Sequence, residues 1–168
     1  MVRFRKLTLP EDVPGEMYLH SMPGRYEPLE QSWAEIARLR ILQIVCLAPD
    51  NEVGAKSPAY AAAIAEGKVP CRIRQFPVAD FEGPTDLERF WLLATETADA
   101  LRRGENVLAH CGAGIGRTGT FAIAVLLALG VPAENAECIV RAAGSGPEVA
   151  SQREALQTII DSYLLPSR

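Results

Sequence analysis

At 168 residues the chain has the length of one domain, enough to bury a core of its own without disulfides or a structural metal. With 48% hydrophobic and 23% charged residues, its composition excludes both a disordered chain and a membrane protein. The net charge of -4 presents the wrong field to a phosphate backbone, so no nucleic-acid partner is expected, although a local basic pocket is compatible with it.

In chain order, Met1 to Leu7 carries Arg3, Arg5 and Lys6 with no apolar run after them, so no signal peptide is expected and the cytosol is the expected location. Met17 to His20 reads as a strand, Leu29 to Arg40 as a helix, and Leu42 to Leu47 as a second strand apolar enough to be central. Ser57 followed by Pro58 has the form of an N-cap and first helical position, opening an alanine-rich helix to Glu66 that Gly67 closes. Arg72 to Phe76 is a further strand, and Asp80 to Thr85 an exposed loop. Asp86 to Arg103 places Leu87, Phe90, Trp91, Ala94, Ala98 and Leu101 at helical spacing, with Arg102, Arg103 and Gly104 as its end.

Val107 to His110 reads as a strand, followed by a glycine-rich run to Gly119. The apolar stretch from Phe121 to Leu129 falls short of the roughly 20 residues of a membrane span and is closed by Gly130 and Pro132, so it reads as a buried helix. Helices are then expected over Pro132 to Ala143 and Glu148 to Leu165. The alternation predicts one α/β domain over residues 1–168, a central mostly parallel sheet flanked by helices. Trp33, Trp91 and Phe121 are core candidates, and Cys71 and Cys138 are expected as small core residues. The four cysteines form no C-x-x-C pair, and only His110 lies beside one of them, so no metal site is expected.

The informative stretch is His110-Cys111-Gly112-Ala113-Gly114-Ile115-Gly116-Arg117-Thr118-Gly119, between an expected strand and an expected helix. A cysteine ending a strand, five small or glycine-rich positions and an arginine opening a helix leave the backbone N–H groups of Gly112, Ala113, Gly114, Ile115 and Gly116 free to converge on an anion. The helix N-terminus adds partial positive charge there, favouring both a bound phosphate and a thiolate at Cys111. Arg117 supplies a planar fork that holds two phosphoryl oxygens. Thr118 stands where its hydroxyl is expected to donate to the Cys111 sulfur. His110, adjacent on the strand, is expected to face the other way and bond the loop backbone.

Two other phosphate-binding patterns compete for this loop. Gly114, Gly116 and Gly119 satisfy G-x-G-x-x-G, the dinucleotide-binding pattern, but that reading requires a following strand where Pro132 to Ala143 reads as a helix. A P-loop nucleotide site requires lysine where Arg117 stands.

His-Cys-x5-Arg-Thr resembles the signature of the protein tyrosine phosphatase superfamily, and the compact chain is similar to the dual-specificity branch, especially its atypical and kinase-associated members. The resemblance runs from about Glu16 to Leu156 and implies a phosphatase-type loop and hydrolysis of phosphate monoesters through a phosphocysteine, without a cofactor. Phe76-Pro77-Val78-Ala79-Asp80 resembles the segment carrying the general acid, which implies that role for Asp80, with Asp86 in reserve. Val140-Arg141 and Ser151-Gln152 resemble the stretch in which a glutamine positions the hydrolytic water, implying Gln152. The family often has an arginine-proline pair where this chain reads Ala143-Gly144-Ser145-Gly146-Pro147. The loop also lacks the lysines that phosphoinositide-directed relatives carry at the positions of Gly112 and Ile115. Cys46 resembles a partner cysteine that, in some relatives, forms a disulfide with the catalytic thiol. The implied partner is a phosphorylated protein or peptide, phosphotyrosine first and phosphoserine or phosphothreonine as the wider range. A phosphate-binding pseudophosphatase remains the alternative.

Overall fold

Residues 1–165 are described by the computed structural model of the chain. A five-stranded sheet in the order β1-β2-β5-β3-β4 is built from β1 (Arg5–Leu7), β2 (Met17–His20), β3 (Ile41–Cys46), β4 (Arg72–Gln75) and β5 (Asn106–His110). Only β1 runs antiparallel to its neighbour; the β2–β5, β5–β3 and β3–β4 pairs are parallel. The mostly parallel sheet expected from the alternation is therefore observed, with β1 as an edge strand that the pattern did not announce.

Helices cover both faces, as a sheet of parallel strands requires. In β5, Val107 and Ala109 face a large core shared with Phe90, Ala94, Ala98 and Leu101 of α4 (Leu87–Arg102) and Phe121, Ala122 and Val125 of α5 (Gly116–Ala128). Leu108 faces the opposite core, against Ile36 of α1 (Leu29–Arg38) and Ile44. Val53 of α2 (Asp50–Lys56) and Tyr60 of α3 (Pro58–Ala65) pack with Cys46 and Met22 on that second side. The period of two along β5 thus sends Cys111 and His110 to opposite faces, as the strand reading required. α6 (Ala133–Ala142) and α7 (Ala150–Ile159) complete the first layer, and a π-helical turn, Ile160–Leu164, follows α7.

Several local expectations are corrected. The first helix stops at Arg38 because Arg40 turns into the left-handed region at φ 52°. Ser57 occupies the N-cap position of α3 but makes no capping bond; its hydroxyl donates to the Pro23 carbonyl at 2.8 Å. The last helix begins at Ala150 rather than Glu148 and changes to π geometry at Ile160. Cys138 is exposed on α6 and Cys71 half-exposed, so neither is the core residue expected of it. The helix α2 was not expected. Among the described residues no helix is long and apolar enough to cross a membrane, and no group of His, Cys, Asp and Glu could hold a metal ion.

Candidate active site

The loop between β5 and α5 is held open by bonds on its outer side. The Gly112 carbonyl accepts from Met22 N–H at 3.1 Å. That of Gly114 accepts from the Arg5 guanidinium at 2.6 Å and the Ser145 hydroxyl at 2.7 Å. That of Ile115 accepts from Gly146 N–H at 3.1 Å and Gly119 N–H at 2.8 Å. Each trans peptide sets its N–H opposite its C=O. Anchoring these oxygens outward therefore turns the Ala113, Ile115 and Gly116 N–H groups inward, which is the cradle the glycine content suggested. Gly114 sits at φ +76°, and a side chain there would overlap the backbone of His20 and Ser21, so no other residue fits.

Cys111, 2% exposed, lies at the foot of this loop, and its sulfur accepts from Gly114 N–H at 3.3 Å. The expected bond from Thr118 is not made: its Oγ1 is buried with no partner among the described residues. Behind the loop, His110 is fully buried and burial pulls its pKa down to about 4, against a smaller upward pull from its bond to the Cys111 backbone. A neutral ring whose Nδ1 faces the Cys111 carbonyl at 3.0 Å must donate there, so Nε2 accepts from the Tyr60 hydroxyl at 2.9 Å. His110 braces the loop backbone, as its strand position implied.

Arg117 is 4% exposed, and both of its amino groups are engaged. Nη1 donates to the Val78 carbonyl at 2.8 Å, and Nη2 reaches Glu52 at 3.0 and 3.1 Å and Asp80 Oδ1 at 3.1 Å. Lys56, one helical turn after Glu52, stands 3.4 Å from Glu52 and 3.6 Å from Asp80. Asp80 is thus brought beside the loop, half-exposed, with its Oδ1 also accepting from Phe81 N–H at 3.1 Å. Asp86, the reserve acid, is instead the N-cap of α4 and accepts from Arg89 N–H at 3.1 Å. Gln152 is buried; its Oε1 accepts from Glu148 N–H at 2.8 Å and its Nε2 donates to the Glu82 carbonyl at 3.1 Å. One lone pair and one amide hydrogen remain on it.

A cavity of about 230 Å³ collects these groups: Cys111, Ala113, Gly116 and Arg117 from the loop, Asp80 and Phe81 from the segment after β4, and Arg25, Lys56, Glu148 and Gln152 around them. A larger hollow of about 450 Å³ between Lys6 and Glu16 brings together no cysteine, histidine or arginine. Every residue given a catalytic or phosphate-binding role in the sequence except Asp86 is gathered at the small cavity or its loop, whereas Cys46 ends β3 and lines neither. Glu52, Lys56, Arg5 and Ser145 were not anticipated. The first two share the i, i+4 spacing of one helix face, a signal too common to single them out. The last two are joined to the loop only by the tertiary fold.

The burial pushes the Cys46 thiol up to about 12, and its hydrogen faces the Ala48 carbonyl at 3.6 Å. All four cysteines are free.

Solved structures with the same fold extend over nearly the whole chain. Tk-PTP in its active form is 24% identical, covers 94% of this chain and 97% of its own, and superposes with a TM-score of 0.73. The kinase-associated phosphatase KAP, with serine substituted for its catalytic cysteine, is 18% identical with 99% and 98% coverage and a TM-score of 0.80. A human tyrosine phosphatase-like serine/threonine/tyrosine-interacting protein is 23% identical with 92% and 97% coverage and a TM-score of 0.72. No curated protein matches the chain. The family model "PTP-SAK: Swiss Army Knife protein, DSP-PTPase phosphatase domain" matches residues 13–162, the stretch that contains the loop, both walls of the cavity and four of the five strands, and to that compact dual-specificity phosphatase family the chain belongs.

Proposed function

We propose that the protein hydrolyses phosphate monoesters through a phosphocysteine at Cys111, with phosphotyrosine in a protein or peptide as the first substrate. The observation that carries this reading is the meeting of the Cys111 sulfur, the inward amides and the Arg117 guanidinium on one cavity. In the first step the thiolate attacks phosphorus. The ester P–O bond breaks, and its electron pair leaves on the departing oxygen, which takes the proton of the Asp80 carboxyl. In the second step water gives its proton to the Asp80 carboxylate and its oxygen to phosphorus. The P–S bond then breaks, returning the thiolate and releasing inorganic phosphate.

Arg117 and the loop amides hold the equatorial oxygens throughout. In the resting arrangement Asp80 occupies part of the Arg117 fork, so a docking phosphoryl group displaces it toward the leaving oxygen. Thr118, a buried donor without a partner, is free to turn to the sulfur as charge returns to it. Gln152, which lines the same cavity with one lone pair and one hydrogen to spare, would orient the water. The buried sulfur requires an ester bond that reaches inward, and the exposed Phe81 on the same cavity offers a face to an aryl group.

Cys111→Ser is expected to abolish turnover of an aryl phosphate while vanadate still binds. Normal turnover by that variant contradicts the mechanism. Asp80→Asn is expected to slow hydrolysis on the order of a hundredfold or more, most for esters with poor leaving groups. If Asp86→Asn does so instead, the acid is misassigned. Vanadate binding by wild type without turnover of any aryl phosphate would mark a phosphate-binding module.

A further inference from the structure

The Gly114–Ile115 peptide is the one in the loop whose carbonyl carries two side-chain donors. Arg5 Nη2 and Ser145 Oγ both donate to the Gly114 oxygen, at 2.6 and 2.7 Å. The other Arg5 amino group, Nη1, donates to the Ala143 carbonyl at the end of α6 at 2.8 Å and to Ser145 Oγ at 2.9 Å. The serine hydroxyl accepts from Arg5 and passes its own hydrogen to Gly114, which uses its donor and one acceptor site consistently. One guanidinium from an edge strand thereby ties together the phosphate loop and the C-terminus of α6, where a cation meets the unpaired carbonyls of the helix.

The peptide's geometry gives this tie a consequence for anion binding. Holding the Gly114 oxygen behind the loop directs the Ile115 N–H to the opposite, inward side. If that peptide turned over, a carbonyl would replace a donor and repel a phosphate. Glycine at φ +76° has no side chain to oppose such rotation, so the orientation depends on what holds the oxygen. A neutral donor would suffice for a bond; a half-buried arginine also places positive charge behind the sulfur. Burial lowers the Arg5 pKa, and the nearby Cys111 acts on it in the opposite direction.

We propose that Arg5, assisted by Ser145, is a positioning residue for the phosphate loop: it locks the Gly114–Ile115 peptide in its anion-binding orientation and favours the Cys111 thiolate from behind. Arg5 lies outside residues 13–162, the part of the chain matched by the family. The inference rests on the catalytic reading above but is tested without turnover.

The experiment measures two quantities on the intact chain: vanadate affinity, and the rate of Cys111 alkylation by iodoacetamide as a function of pH. Arg5→Ala is expected to weaken vanadate binding about tenfold, the lower range for a lost charge-assisted bond, and to move the alkylation midpoint up by about half a pH unit or more. Arg5→Lys, which keeps charge but loses the fork, is expected to restore the midpoint while vanadate remains several-fold weaker. Ser145→Ala is expected to weaken vanadate less and leave the midpoint in place. Lys6→Ala removes the neighbouring cation of β1, paired at the surface with Glu16, and should change neither quantity.

A merely structural Arg5 would lower the melting temperature of Arg5→Ala and leave both quantities at wild-type values well below melting, and that result overturns the proposal. If Arg5→Ala does not fold, wild-type vanadate affinity in both Arg5→Lys and Ser145→Ala overturns it equally. A wild type that binds vanadate but hydrolyses no ester would refute the catalytic reading and leave this test intact.

Discussion

The two loops that meet at the cavity are held in different ways. The phosphate loop is buried except at Ala113 and Ile115, and three of its carbonyls are tied to β1, to the segment after β2 and to the stretch after α6. The segment from Phe76 to Asp86 is anchored at its start by Phe76 N–H and Val78 N–H on the Cys46 and Leu47 carbonyls. Farther on it is anchored by Gly83 N–H on Ser151 and by Glu82 O on Gln152. Between these anchors Asp80 is 45% exposed, and Phe81 stands at φ 58°, which a side-chain-bearing residue rarely adopts. A group that must bind a fixed charge benefits from a rigid, preorganised frame, whereas a proton donor must reach leaving oxygens of differing substrates. On the function proposed, the first loop would bind and the second adapt, with the Arg117–Asp80 and Lys56–Asp80 contacts as their junction.

The strongest way to break the contrast is to remove the rigidity. Gly114→Ala is expected to abolish detectable turnover and vanadate binding together, because a methyl group would overlap the His20 backbone at a φ that favours glycine. Near-normal vanadate affinity in that variant would show that the loop is not the fixed frame described.

A smaller effect is expected at the junction. Glu52→Gln keeps the shape but removes the charge that orients Arg117, and kcat should fall about tenfold while KM changes less than about threefold. An unchanged kcat would remove Glu52 from the site.

A further effect, on stability rather than on turnover, concerns the brace behind the loop. His110 is buried neutral with a pKa lowered to about 4 by burial, while in the unfolded chain it titrates near 6.5. Above pH 6.5 neither state binds the proton and the full stability is present. As pH falls, the unfolded chain is protonated first, so folding stability is lost between about 6.5 and 4, by up to roughly 3 kcal/mol from this group. Denaturant titrations at stepped pH should show this loss, and His110→Gln should lack its share; an equal slope in both would contradict the assignment.

What the sequence made legible follows the same division between local and tertiary structure. The phosphate loop, its strand and its helix are contiguous, so residue order alone placed Cys111, the amides and Arg117 together. Strands β2, β3 and β5 and helix α4 announced themselves through apolar runs or helical periodicity, and β4 through the alternation of Ile73 with polar neighbours. Strand β1 did not, because Arg5-Lys6-Leu7 offers one apolar residue in three on a sheet edge. Helix α2 did not, because only Val53 of its seven residues is buried and Gly54 interrupts it. With those two elements went Arg5, Glu52 and Lys56, whose relation to the loop exists only after folding. Asp80 and Gln152 were reached through family resemblance; their residue types alone would not distinguish them from surface neighbours such as Glu82.

The central claim is a covalent bond between sulfur and phosphorus, and it is tested most directly by rapid acid quench of wild type during turnover of an aryl phosphate, followed by peptide mass spectrometry. A phosphoryl adduct on the peptide containing Cys111, absent from Cys111→Ser and lost as inorganic phosphate appears, is the predicted result. Steady turnover with no adduct on Cys111 at any quench time, or an adduct on another residue, would contradict it.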